Sequence, residues 1–211
     1  MWPPPGDTRL TASLSTSLPG SLGHSRKSQR GLHALPQAAP APVLRLVAQP
    51  EGLLQVHTAP FRGSVPSVLS QALRAAGLGS RVLISQFLKG GVDQGVDRAL
   101  SLCGRLQWMR PAMAACVDGP PAAGEPDAAA TRDAIAAVWE HCSQQLLAGT
   151  VDLLVLDELG LALAYGYLDH ALVVATLEQR PAQMDVILTG PLIPDALMAM
   201  ADQVTQLRRG F

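Results

Sequence analysis

From residue 51 onward the chain alternates short apolar runs with stretches of helical period, and this alternation predicts the architecture. Leu53–Thr58 reads as a strand. Pro66–Ala76 carries a helical stripe of Val68, Leu69, Ala72, Leu73 and Ala76, closed by Gly77 as a C-cap. Arg81–Phe87 is a buried strand, residues 92–102 read as weakly helical, and Arg105–Met109 as a short strand. A loop over Pro111–Gly124 leads into a long helix, Asp127–Ala148. Its inner face is Ile135, Val138, Trp139, Cys142 and Leu146, and Gly149 ends it. Val151–Leu156 is apolar almost throughout, as expected for a strand covered on both faces. A helix over Leu168–Gln179, a strand over Met184–Leu188, a helix over Pro194–Ala201 and an edge strand over Val204–Leu207 complete the series. Strand–helix alternation at this spacing predicts the α/β class: an open parallel sheet, doubly wound, with helices on both faces.

The first fifty residues have neither period. They are rich in Pro and Ser and cannot bury enough apolar surface to offset chain entropy, so residues 1–50 are expected to be a disordered tail and 51–211 the folded domain. Asp7 is the one acid there, against Arg9, Arg26, Lys27, Arg30 and Arg45. That balance suits a floppy tail, or a start assigned too far upstream, on a cytoplasmic protein. It also suits a transit peptide directing the chain to an organelle stroma or matrix.

Composition narrows the functions. Of the 211 residues 48% are hydrophobic and 4% aromatic, so the core is aliphatic. A formal charge of −1 gives no general pull toward nucleic acid. No apolar run reaches the roughly 18 residues that span a bilayer. Three cysteines without a CxxC pair suit a reducing compartment and argue against a disulfide framework or structural zinc.

In a doubly wound sheet the ligand site lies beyond the carboxyl ends of the strands. This places three segments together: the loop after Thr58, the loop after Phe87 with Lys89-Gly90-Gly91, and Asp157-Glu158. A phosphate-binding loop after the first strand reads GxxxxGK[ST], the lysine holding terminal phosphate oxygens and the hydroxyl holding Mg²⁺. Here the stretch is Ala59-Pro60-Phe61-Arg62-Gly63-Ser64-Val65. Gly63 keeps the second glycine; Ala59, Ser64 and Val65 replace the first glycine, the lysine and the hydroxyl. Pro66 removes an N–H from the helix start. Ser64 and Pro66 together also make an ordinary N-cap and first turn. Asp157-Glu158 at a strand end fits either an acid pair for Mg²⁺ or carboxylates accepting backbone N–H groups.

These segments together resemble the ATP:corrinoid adenosyltransferases of the P-loop type. The likeness is carried by Gly52–Thr58, Ala72–Gly77, Arg81–Gly90, Leu154–Leu159, Ala164–Leu168, Arg180-Pro181, Val186–Gly190 and Ala201–Thr205, spread over a stretch of about 150 residues. It implies a P-loop NTPase-like fold and transfer of the 5′-deoxyadenosyl group of ATP to the cobalt of a reduced, cob(I)alamin-type corrinoid, with triphosphate as leaving group. Carried over residue by residue, Gly63, Ser64 and Val65 fall on the family's phosphate loop and Glu158 on its metal-binding acid, although Ser64 and Val65 cannot perform the family roles; family members commonly work as homodimers. With the strand-end positions, the candidate nucleotide contacts are Thr58, Arg62, Gly63, Ser64, Val65 and Lys89, and the candidate metal contacts Glu158 and Asp157. The family's aromatic residues before the long helix fall on Pro120–Glu125, which has none; its Thr-Gly-Arg reads Thr189-Gly190-Pro191; its C-terminal segment is cut short at Arg208–Phe211.

Departures gathered at the chemistry, over an intact set of core strands, predict a non-catalytic or strongly impaired member that binds a corrinoid or an unidentified protein partner. The alternative is an active transferase with a clamp of Arg62, Lys89, Asp157 and Glu158, using ATP and Mg²⁺. No GxSxG, H-E-x-x-H or Cys–His pattern suggests an unrelated enzyme. The apolar run Leu159–Tyr165 is either an interface or a buried short helix.

Overall fold

A computed structural model describes residues 51–63, 66–91, 95–121 and 127–208. The expected tail at 1–50, Ser64, Val65, four of the six positions from Pro120 to Glu125, and residues 209–211 lie outside the described residues. The strands are β1 (Leu54–Thr58), β2 (Val82–Gln86), β3 (Leu100–Leu102), β4 (Leu106–Met109), β5 (Leu153–Asp157), β6 (Asp185–Thr189) and β7 (Gln203–Gln206). The helices are α1 (Pro66–Gly77), α2 (Ala128–Leu147), α3 (Leu159–Ala164), α4 (His170–Glu178) and α5 (Asp195–Met200).

One sheet holds all seven strands in the order β3-β4-β2-β5-β6-β1-β7. Every pairing is parallel except β3 with β4. The middle strands are apolar on both faces because both are covered. Leu153 and Val155 of β5 pack with Val68, Ala72 and Ala76 of α1. Leu154 and Leu156 pack on the opposite side with Ile135, Val138, Trp139, Cys142 and Leu146 of α2, Val173 and Leu177 of α4, and Leu197 of α5. The period of 2 in the strands therefore meets the period of 3.6 in the helices from both sides, as the doubly wound expectation required.

Three expectations need correction. Residues 92–102 are not helical where described: a turn at Gly95–Arg98 leads into β3, which returns antiparallel onto β4. The reason is local backbone. Cys103 (φ 53°) and Gly104 (φ 66°) adopt left-handed conformations that suit a tight hairpin and end any helix. At the end of α1 the left-handed residue is Gly79 (φ 108°) rather than Gly77, which is the helix's last residue. Finally, Pro194, expected within the last helix, is instead the N-cap of α5. The apolar run at 159–165 resolves as a buried helix: Leu159 through Leu163 are all buried within this chain.

Candidate functional site

β1, β2, β5 and β6 are neighbours running in the same direction, so their last residues share one edge of the sheet. Those residues are Thr58, Gln86, Asp157 and Thr189. The expected segments do converge here, and the geometry shows what each does.

Asp157 is buried and holds three partners. Its carboxylate accepts from Gln86 Nε2 at 2.7 Å and from Thr189 Oγ1 at 2.5 Å, and it pairs with Lys89 Nζ at 3.3 Å. Gln86 in turn accepts from Trp108 Nε1 at 3.0 Å and Arg110 Nε at 2.8 Å. Arg110 lies 5.9 Å from the centroid of the Trp108 ring. A polar seam thus crosses the ends of four adjacent strands, β4-β2-β5-β6. Each link satisfies a group that would otherwise be buried unpaired.

Glu158 follows immediately and begins α3. Its side chain is 1% exposed. Its backbone is left-handed (φ 62°, ψ 24°), because β5 passes into α3 through this single residue. The strain is held from outside: Glu158 N donates to Thr189 O at 3.0 Å, and Gly190 (φ 111°) packs so closely that an added Cβ would sit 3.1 Å from Glu158 Cα. Non-glycine residues in this conformation cost about 1–3 kcal/mol and tend to gather at functional positions.

The partner of Glu158 is Arg62. From the loop after β1, its Nε donates to one carboxylate oxygen at 2.8 Å and its Nη2 to the other at 3.1 Å, a bidentate fork. Nη2 also reaches Leu88 O at 3.3 Å, and Nη1 pairs with Asp118 from the loop before α2. The hydrogen bond to Glu158 holds the guanidinium still more firmly protonated. Asp118 sits in a loop tied down by Tyr165 Oη to Asp118 O at 3.2 Å, Tyr167 Oη to Gly119 O at 3.3 Å and Val117 N to Leu88 O at 2.9 Å.

The remaining candidates take quieter positions. Thr58 accepts Leu207 N through its carbonyl at 2.8 Å. It lines a recess of about 510 Å³ with Ala59, Pro60, Phe61, Pro191 and Leu192. Gly63 (φ 144°) has open space on its Cβ side. Four groups named from sequence, Arg62, Lys89, Asp157 and Glu158, meet at one place. Asp118, Gln86, Trp108, Arg110 and the two tyrosine hydroxyls join them without having been foreseen. Gln86 alone left a trace, as a polar residue at the end of a fully buried strand.

Mg²⁺ takes a near-octahedral shell of oxygens, usually several waters and substrate phosphates with one or two protein carboxylates. Both oxygens of Glu158 face a guanidinium, and Asp157 is engaged by Gln86, Thr189 and Lys89. Among the described residues no three His, Cys, Asp or Glu side chains converge to hold a metal. As the side chains stand, the cations at these carboxylates are the chain's own.

Comparison with known proteins adds the lineage. Residues 50–210 match the family model described as ATP:corrinoid adenosyltransferase BtuR/CobO/CobP. A corrinoid adenosyltransferase of Escherichia coli (strain K12) is 34% identical over 157 residues, covering 74% of this chain and 76% of the relative. One of Pseudomonas aeruginosa is 31% identical over 157 residues, covering 74% of each. A protein of Nostoc with no stated activity is 28% identical over 178 residues, where the match takes in 44% of its length. With a seven-stranded α/β sheet, a strand-end acid pair and a family match spanning nearly all of 50–211, the chain belongs to the ATP:corrinoid adenosyltransferase family.

Proposed function

We propose that this chain is a non-catalytic or strongly impaired family member, whose folded domain (51–211) serves in binding a corrinoid or a protein partner. The observation that carries the reading is the bidentate Arg62–Glu158 pair. Adenosyl transfer from ATP requires a clamp on the charge developing on the leaving triphosphate. In the loop after β1 the lysine and hydroxyl positions of such a clamp read Ser64 and Val65. Arg62, the nearest cation, is committed to Glu158 and Asp118, and Lys89 to Asp157. Each charge-assisted phosphate contact is worth about 1.5–3 kcal/mol, or roughly one to two decades of affinity, so loss of both removes most useful affinity for a triphosphate.

The second reading, an active transferase with ATP and corrinoid as substrates, is favoured by one observation: Arg62, Lys89, Asp157 and Glu158 do converge. In that reading Arg62 and Lys89 would exchange their carboxylates for the triphosphate. Glu158 and Asp157 would then fix the positions from which the two cations reach it.

Calorimetric titration with Mg-ATP separates the two, run on wild type and on Ser64→Lys/Val65→Thr, beside a cob(I)alamin adenosylation assay. The proposed reading expects no wild-type binding tighter than about millimolar, no Co–C bond formation, and a measurable gain in the double variant. Micromolar wild-type affinity, or transfer by the wild type, refutes it.

A further inference from the structure

The two carboxylates on Arg62 are unlike each other. Glu158 lies beneath the guanidinium at 1% exposure, whereas Asp118 lies on its solvent side with its own side chain 86% exposed. An exposed aspartate on a loop is ordinarily free to sweep through solvent. This one is aimed, because the backbone carrying it is fastened by groups from two other parts of the fold. Tyr165 and Tyr167 donate to the carbonyls of Asp118 and Gly119, and Val117 N donates to Leu88 O. Leu88 O also accepts from Arg62 Nη2, so loop and arginine share an anchor.

We propose that Asp118 is a built-in anionic competitor: an autoinhibitory contact in which the carboxylate occupies the solvent-facing side of Arg62 that an anionic ligand would otherwise take. This rests on the reading above that the loop after β1 is the anion-facing element with weakened affinity. Glu158 neutralises the guanidinium from below, and Asp118 adds a further negative charge above it. An approaching anion must both displace that carboxylate and bear its repulsion. The contact is exchangeable because an exposed pair is weak, whereas the buried fork beneath is not.

The probe is Mg-free inorganic tripolyphosphate, titrated calorimetrically into wild type, Asp118→Asn and Tyr165→Phe. Asp118→Asn deletes the charge and keeps the shape and backbone anchors. It should bind about fivefold tighter, the equivalent of about 1 kcal/mol for an exposed pair. That advantage should shrink toward none in about 0.5 M salt, where charges are screened within a few ångströms. Tyr165→Phe frees one anchor without changing charge, and should stay within about twofold of wild type. Equal or weaker binding by Asp118→Asn overturns the proposal, as does the absence of binding by that variant at about 10 mM, since release of the contact should uncover a usable cation. The wild type's affinity for Mg-ATP judges the preceding reading, and the variant-to-wild-type ratio on the Mg-free probe judges this one.

Discussion

Removing the guanidinium of Arg62 tests the central interaction of the site. In Arg62→Ala the Glu158 carboxylate, 1% exposed, loses both hydrogen bonds of its fork and keeps its charge in a desolvated position. Breaking a fully buried pair from one side typically costs about 3–5 kcal/mol. The Arg62 side chain is 28% exposed, so water can follow the missing guanidinium, and the expected loss is discounted to about 2–3 kcal/mol. For a domain of this size that corresponds to a fall in melting temperature of roughly 5–10 °C. Glu158→Gln leaves Arg62 with Asp118, Leu88 O and solvent, and should cost about 1 kcal/mol. Adding Glu158→Gln to Arg62→Ala removes the stranded charge, so the double variant should be more stable than the sum of the singles by about 1–2 kcal/mol. Urea denaturation at constant m reads all four proteins. A loss below about 0.5 kcal/mol in Arg62→Ala, or strict additivity, would mean that the fork does not hold in solution.

Thiol and proton titrations give two further checks. Cys142 is buried, and burial pushes its thiol up to about 12 despite a hydrogen-bonding contact with Ser85, whereas Cys103 and Cys116 are exposed. A disulfide reagent should therefore label Cys103 and Cys116 promptly in the native state and Cys142 only after denaturation; prompt labelling of all three refutes the packing at α2. His57 has a buried Nε2 without a hydrogen-bond partner, and burial holds its folded pKa below the ordinary value. The unfolded chain then binds more protons, so this contribution to stability is intact above about pH 6.5 and is lost as pH falls through the folded value. Urea midpoints should drop between pH 7.5 and 5. His57→Leu should flatten that slope in part, His141 being shifted the same way by burial; an unaltered slope would show that His57 is not desolvated.

What the sequence reveals of this molecule follows from how local each signal is. The strands and the α2 stripe were legible because burial on both faces writes itself as continuous or periodic apolar residues. The β3–β4 hairpin was not, since Val96, Ala99 and Leu100 imitate a helical spacing while the deciding feature is backbone at Cys103 and Gly104. Within the site, residue types were legible and directions were not. Arg62 could be named as the cation nearest a phosphate loop, yet nothing in its neighbours states that it turns back onto Glu158. Asp118 lies fifty-six residues from Arg62 along the chain, and a single sequence contains no record of which loops meet.

The position of β1 in the sheet has a consequence for assembly. β1 lies between β6 and β7, and its neighbourhood is closed by side-chain bonds to backbone across 132 and 148 residues, Leu53 N to Asp185 and Leu54 N to Asp202. A ribosome therefore delivers this strand long before it delivers either partner. Until β6 arrives, β1 and the loop carrying Arg62 have no sheet to join, while β2, β4 and β5 can already pair. Closure of such distant contacts is entropically slow. The Arg62–Glu158 fork, which needs β1 seated beside β6, is thus among the last native features to form, and the site matures only when the sheet is complete.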